Sequence, residues 1–266
     1  MLAGVAGECG RGDGGGVNHV LREFLKRTVR LAESRVIWRQ RRVKFGAGEL
    51  RLLRSRFWDD TEQKIFDAEI PPYFRGMGAG GATPEVILDA GAATGHFALA
   101  ATARWPGARV ICFEPSARQR VMLRRNARLN GVAERIAVES LALWNAAGFL
   151  RFRTHGAISC LEVVSTLPRH LPFEETVRVE PLDVWAARTG LARVDWIKMD
   201  IEGAELEALQ GMRGTLARCR PSLLVQAYHV RDGVRTFEAC ARWLTAAGYR
   251  CEEAGTGSGL LVARAR

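Results

Sequence analysis

What this chain of 266 residues lacks narrows its function before anything it contains does. Its six cysteines (Cys9, Cys112, Cys160, Cys219, Cys240 and Cys251) form no C-x-x-C pair and no metal-ligand spacing. That excludes a zinc ribbon or disulfide framework and predicts free thiols in a reducing, cytoplasmic compartment. No His/Cys/Asp cluster has metal spacing either, so no metal is expected. No apolar run approaches the roughly 20 residues of a membrane-spanning helix. Residues 1–16 lack the apolar stretch of a secretory signal and are rich in glycine (Gly10, Gly12, Gly14, Gly15, Gly16), which predicts a disordered tail. Lysine is scarce: Lys26, Lys44, Lys64 and Lys198 are the only ones among 39 basic residues. Such a skew toward arginine reflects genome composition as readily as chemistry, so the net charge of +10 is weak evidence for an anionic partner.

The charge is unevenly placed. Residues 17–56 hold twelve Lys and Arg against Glu23, Glu33 and Glu49, a balance of +9, whereas residues 57–85 are net acidic. Val17, Leu21, Phe24, Leu31 and Trp38 recur at three- and four-residue spacing and predict a basic amphipathic helix from Val17 to about Val43, with Asn18 as its cap. Such a helix either docks on an anionic surface or partner or packs its apolar stripe on the main domain. A second helical stretch is expected from Phe57 to Phe74, ended by Pro71-Pro72 and followed by a glycine loop at 76–81. Ile70-Pro71-Pro72-Tyr73 superficially matches the Asn/Asp-Pro-Pro-Tyr motif of amino-group methyltransferases. It lacks the polar first residue and precedes the glycine loop, so it is set aside. The expected organisation is therefore a tail (1–16), a basic helical extension (17–83) and one domain (84–266).

From Pro84 onward, strands and helices alternate. Strands are expected near 86–90, 109–113, 135–139, 149–153, 176–180, 194–199, 222–228 and 257–263, with another near 249–252. Helices fill 95–104, 116–130, 203–217 and 233–247, with Gly131 and Gly248 as stop signals. This pattern predicts an α/β fold: a doubly wound, Rossmann-like, mostly parallel seven-stranded sheet closing in an antiparallel terminal hairpin.

Two strand ends carry chemistry. Asp89-x-Gly91-x-x-x-Gly95 offers a carboxylate, a tight turn and free amides at a helix start, a cradle for a nucleotide or an amino-acid carboxylate. Ala93 and His96 stand where a dinucleotide fingerprint wants glycine, which disfavours a pyrophosphate and leaves S-adenosylmethionine unaffected. Glu114 ends the next strand, about 20 residues on, where a ribose-binding carboxylate belongs. A hundred residues later, Asp200, Glu202 and Glu205 crowd one strand end, an arrangement that raises carboxyl pKa values and signals a site. Glu205 reads as a helix-start charge, and Lys198 as a structural partner for one of these acids.

These segments, with Phe113-Glu114-Pro115, Asn130-Gly131 and Lys198-x-Asp200-x-Glu202-Gly203-x-Glu205, resemble the FkbM family of methyltransferases over roughly residues 85–230. The resemblance implies a class I S-adenosylmethionine enzyme that methylates hydroxyls of small molecules, sugars or other natural products. By position it implies cofactor binding by Asp89, Gly91, Ala92, Gly95, Glu114, Ser140, Leu141 and Asp200. Asp200, His229 and Glu202 are the catalytic candidates, with His96 behind them. Family members usually carry Glu where this chain has Gln226, with a His close behind, here His229. His19, His155 and His170 show no partner pattern. Two rival readings stay open. An RNA methyltransferase would grip phosphates with the basic segment, although few aromatics there argue against nucleic acid. A non-catalytic adaptor would keep the fold as a scaffold.

Overall fold

The computed structural model describes residues 39–54, 61–78, 83–153, 159–164, 174–231 and 233–266. Residues Gln40–Leu53 and Asp60–Arg266 form one compact unit. It opens with a hairpin, β1 (Arg39–Phe45) and β2 (Gly48–Arg54), joined by a two-residue turn. In β2 the buried Leu50 and Leu52 alternate with the exposed Arg51, at the strand period, and β1 contributes the buried Val43. A helical segment follows: α1 (Thr61–Lys64), one π turn over Ile65–Glu69, and α2 (Ile70–Met77).

The expected alternation then follows. In chain order come β3 (Val86–Ala90), α3 (His96–Arg104), β4 (Arg109–Phe113), α4 (Ala117–Leu129) and β5 (Ile136–Glu139). An inserted region holds β6 (Ala142–Leu143), β7 (Gly148–Arg153), β8 (Cys160–Leu161) and β9 (Glu174–Glu180). The chain returns through α5 (Leu182–Thr189), β10 (Trp196–Met199), α6 (Glu205–Gln210), α7 (Arg213–Cys219) and β11 (Ser222–Gln226). A small hairpin, β12 (Val230–Arg231) and β13 (Val234–Arg235), precedes α8 (Thr236–Ala246), β14 (Tyr249–Glu253) and β15 (Leu260–Ala265).

The main sheet has seven strands in the order β14-β15-β11-β10-β3-β4-β5. The five central and edge strands from β11 to β5 run parallel, and β15 joins β11 and β14 antiparallel, as the terminal hairpin requires. Alternate residues of each strand feed opposite cores. Leu88, Ile111, Ile197 and Leu223 pack with Trp185, Leu209, Met212 and Leu244 on one face. Ile87, Val110 and Leu224 pack with Phe97, Tyr73, Phe66 and Leu52 on the other. A parallel sheet covered on both faces explains why these strands are apolar throughout. Burying each such Leu or Ile stabilises by about 1.5–3 kcal/mol.

Several expectations need correcting. Residues 39–43, read as the end of a basic helix, are strand; the earlier part of that helix, residues 17–38, and the glycine-rich tail lie outside the described residues. Pro71-Pro72 do not end the second helix but occupy its first turn, where missing N–H groups leave nothing unpaired. The π turn prepares this, with Ile70 N–H reaching back to the Ile65 carbonyl. Strands 149–153 and 176–180 leave the main sheet for a second, four-stranded one ordered β6-β9-β7-β8. Helix α5 was not anticipated, and the single helix expected over 203–217 breaks at Gly211–Met212. There Gly211 lies so near the Trp144 carbonyl that any Cβ would collide, and the Asp183 carboxylate caps α7 by accepting from Gly214 N–H (2.7 Å) and Thr215 N–H (2.6 Å).

Candidate active site

The turn between β3 and α3 is built by three residues with positive φ: Gly91 (+74°), Ala93 (+45°) and Gly95 (+92°). Gly91 is compulsory here, because a Cβ would run into the Asp200 carbonyl oxygen. Gly91 N–H and Ala92 N–H both donate to the Phe113 carbonyl, at 3.0 and 3.3 Å. Glu114 completes the turn, accepting from Ala93 N–H at 2.8 Å and from Ser116 N–H at 2.8 Å. Burial pushes the Glu114 carboxyl up to about 7 even though these two amides favour its charge. Ala93 is one of three non-glycine residues with positive φ among the described residues, and Glu202 is another.

Asp89 lies beneath this turn without exposed surface, its Oδ1 3.1 Å from the Lys198 ammonium. Lys198 also donates to the Gly91 carbonyl at 3.1 Å. Burial alone would depress this ammonium, but Asp89 and Asp200 hold it above its ordinary value. Asp89 and Lys198 thus brace the turn from below. Leu141 is buried just past the end of β5, and Ser140 beside it is exposed. Asn126 of α4 ties the turn to the N-terminal hairpin: its Nδ2 donates to the Thr94 carbonyl at 3.0 Å and its Oδ1 accepts from Leu53 N–H at 2.8 Å.

The acidic segment starts where β10 ends. Asp200 N–H donates to the Ala90 carbonyl at 3.1 Å, which sets the two strand ends side by side. Asp200 Oδ2 accepts from the Tyr73 hydroxyl at 3.1 Å, while Oδ1 is buried without a partner among the described residues. Burial raises the Asp200 carboxyl, Lys198 lowers it, and the nearby Glu202 charge raises it again. Glu202 is held at φ +56° and Gly203 at +101°, so the backbone doubles back before α6. This turn presents Glu202 Oε2 to His229 Nε2 at 2.8 Å, with the Tyr228 hydroxyl 3.4 Å from the same oxygen. On the other side of the ring, Glu205 Oε1 lies 3.8 Å from His229 Nδ1 and accepts from Gly203 N–H at 3.0 Å. His229 therefore stands between two carboxylates. Desolvation lowers its pKa, but Glu202, Glu205 and Asp200 together raise it.

The structure thus brings Asp200, Glu202 and His229 to the ends of β10 and β11, with Asp200 against the glycine turn at the end of β3. It does not bring the others. His96 packs edge-on against Phe66 with its Nδ1 3.3 Å from Thr94 Oγ1, and Gln226 reaches the Ser258 carbonyl at 3.4 Å. His19, His155 and His170 lie outside the described residues. Two further residues join the site beyond their expected roles. Glu205 does begin a helix, but its side chain is 0% exposed and belongs to the histidine cluster, with burial pushing its carboxyl up to about 7. Its spacing of three from Glu202, across a glycine, was the available signal. Tyr73, set aside with the rejected Pro-Pro-Tyr motif, reaches Asp200 from α2. Only the apolar spacing of Phe66, Ile70, Tyr73 and Met77 hinted that it faces inward. Among the described residues no group of His, Cys, Asp and Glu could hold a metal ion, and no helix is long and apolar enough to cross a membrane.

This geometry can be set beside known proteins. A family model described as the Methyltransferase FkbM domain matches residues 89–251. The chain belongs to the FkbM methyltransferase family. Enzymes of this kind draw their methyl group from S-adenosylmethionine. The FkbM-family chain is 28% identical over 154 residues to the methyltransferase sdnD of Sordaria araneosa, across 47% of this chain and 60% of that protein. It is 30% identical over 149 residues to the 2-O-methyltransferase NoeI of Sinorhizobium fredii, across 51% of this chain and 60% of that protein. The matches therefore span about 60% of the length of these curated relatives. A solved methyltransferase FkbM from Methylobacillus flagellatus superposes with a TM-score of 0.50 at 21% identity, covering 79% of this chain and 56% of that one, a likeness of fold. Tyr73 and the hairpin precede the residues that the family model matches.

Proposed function

We propose that this chain is an O-methyltransferase acting on a hydroxyl of a small molecule or glycan, with the Glu202–His229 pair taking the acceptor proton. The observation that carries the reading is the placement of His229 between Glu202 and Glu205 at the strand end beside the glycine turn. The name of one relative, a 2-O-methyltransferase, supports oxygen as the methylated atom.

The residues present fit the cofactor of the family. Gly91 leaves no room for a side chain, Asp200 Oδ1 is buried and unpartnered, and three carboxylates make the crevice electronegative, which suits a cationic sulfonium. S-adenosylmethionine supplies, when bound, a methyl group already activated for displacement. In this reading Gly91, Ala92 and Gly95 shape the turn that holds its amino-acid portion, Asp89 bracing them through Lys198. Glu114 serves the ribose, and Ser140 and Leu141 lie by the adenine. Asp200 complements the positive charge.

An alcohol must lose its proton as it is methylated, and a positioned base contributes about 10²–10⁴-fold. Glu202 and His229, 17% and 13% exposed, are the members of the cluster that an acceptor can approach. Glu202 orients the imidazole through its hydrogen bond, and Glu205, fully buried 3.8 Å from the opposite ring nitrogen, stabilises the ring by charge once it is protonated. Asp200, the first candidate from the sequence, is turned toward Tyr73 and becomes the charge-complementing group instead.

The test is methyl transfer from radiolabelled S-adenosylmethionine to a panel of sugars and polyketide-type alcohols. His229→Gln should lower turnover by about a hundredfold or more while leaving cofactor affinity nearly unchanged. Label on nitrogen instead of oxygen, or undiminished turnover in His229→Gln, would overturn the assignment.

A further inference from the structure

We propose that Tyr73, from the segment preceding the family domain, is a positioning residue of the active site that keeps Asp200 oriented and anionic for the cationic cofactor. The inference rests on the functional reading above and extends it to a part of the chain that the family match does not include.

The tyrosine is fixed from several sides. It is 6% exposed, its ring meets Phe97 edge-on at 5.7 Å between centroids, and the Lys198 ammonium stands 5.8 Å over the ring face. Its hydroxyl is aimed by the backbone before it. The π turn over Ile65–Glu69 inserts an extra residue per turn, so the face of α2 bearing Ile70, Tyr73 and Met77 is rotated onto the core. Pro71 and Pro72 stiffen the first turn of α2 immediately before Tyr73. Among the described residues the phenol donates its hydrogen bond to Asp200 Oδ2, at 3.1 Å.

Asp200 needs such a donor. Burial favours a neutral Asp200 most, and the like charge of Glu202 adds to it. Lys198, His229 and the Tyr73 hydroxyl oppose them, and Asp89 and Tyr228 also face this group of charges. A phenylalanine at 73 would keep the ring contacts and remove only the donor, which separates positioning from packing.

The experiment is calorimetric titration of the full chain with S-adenosylmethionine and with its product S-adenosylhomocysteine, whose sulfur is a neutral thioether, from pH 5.5 to 8.5. In Tyr73→Phe, Asp200 takes up its proton at higher pH than in the wild type. Affinity for S-adenosylmethionine should then fall by about tenfold at the acid end, while S-adenosylhomocysteine changes by less than about twofold, and the gap should close as pH rises. Asp200→Asn should show the same selective loss at every pH. Isosteric 3-fluorotyrosine at position 73, a stronger donor, should move the loss to lower pH and serves if Tyr73→Phe does not fold. The inference is overturned by Tyr73→Phe profiles that match the wild type, by equal loss of both ligands, by an Asp200→Asn protein that keeps its preference for the sulfonium, or by an unmoved fluorotyrosine profile. Failure of the wild type to bind either ligand would remove the functional reading and this inference with it, whereas the outcomes at position 73 leave that reading standing.

Discussion

Gly91→Ala, measured beside Gly46→Ala, separates two penalties that the turn after β3 combines. Both glycines have positive φ, +74° and +58°, where a Cβ costs about 1–2 kcal/mol. Gly46, in the β1–β2 turn, has nothing within 4 Å of the added atom, so its substitution carries that cost alone. At Gly91 the new Cβ would run into the Asp200 carbonyl oxygen and approach Ile201 Cγ2 to 3.1 Å. The obstructing atom is backbone, and Asp200 N–H is tied to the Ala90 carbonyl at 3.1 Å, so relief requires the ends of β3 and β10 to part. Overpacking of this kind adds about 1–3 kcal/mol. The expected destabilisation is about 1–2 kcal/mol for Gly46→Ala and about 2–5 kcal/mol for Gly91→Ala, read as the shift in urea midpoint at constant slope. Calorimetry should also show that only Gly91→Ala loses S-adenosylmethionine binding. Equal destabilisation by the two substitutions would refute the argument that close approach of the two strand ends fixes glycine at 91.

Glu205→Gln should change the pH dependence of stability. Because the folded carboxyl titrates at about 7, above an unfolded glutamate, its protonated form stabilises the fold below about pH 4.5, and that contribution is lost as pH rises through 7. Relative to wild type, the glutamine variant should therefore gain stability between pH 5 and pH 8, by up to about 3 kcal/mol, and parallel urea stabilities would contradict the assignment. Asn126→Ala leaves the Leu53 amide and the Thr94 carbonyl without their partner and should cost about 2–4 kcal/mol in urea unfolding. A loss below about 0.5 kcal/mol would show that water replaces the side chain without penalty.

The parallel strands were legible because burial on both faces makes each a short apolar run, as in Val86-Ile87-Leu88 and Leu223-Leu224-Val225. The glycine turn after β3 was legible for a related reason, since glycine at 91 and 95 answers a backbone demand that no other residue meets as well. Elsewhere local pattern competed with tertiary structure. β1 alternates only weakly, with Val43 the one fully buried residue among arginines and a lysine, so its charge resembled a helix face. Gly211 broke a helix for a close approach to Trp144, a contact between segments far apart in sequence. Gly148–Arg153 and Glu174–Glu180 were recognisable as strands, but nothing local said which sheet would take them. In the site, the carboxylates and histidine could be named, but their pairing could not. The left-handed backbone at Glu202 turns that side chain onto His229, and such strain is invisible in composition. Tyr73 follows two prolines in a segment with no polar first residue, and its bond to Asp200, 127 positions away, has no local signature.

The most direct measurement is calorimetric titration of S-adenosylmethionine into the wild type and Glu114→Ala. Glu114 pins the turn through Ala93 and Ser116, and the proposed function assigns it the ribose as well. One bound cofactor per wild-type chain is expected, with a loss on the order of a hundredfold in the variant and the fold retained by circular dichroism. A wild type that does not bind, or a Glu114→Ala protein that binds as tightly, would contradict the proposed function.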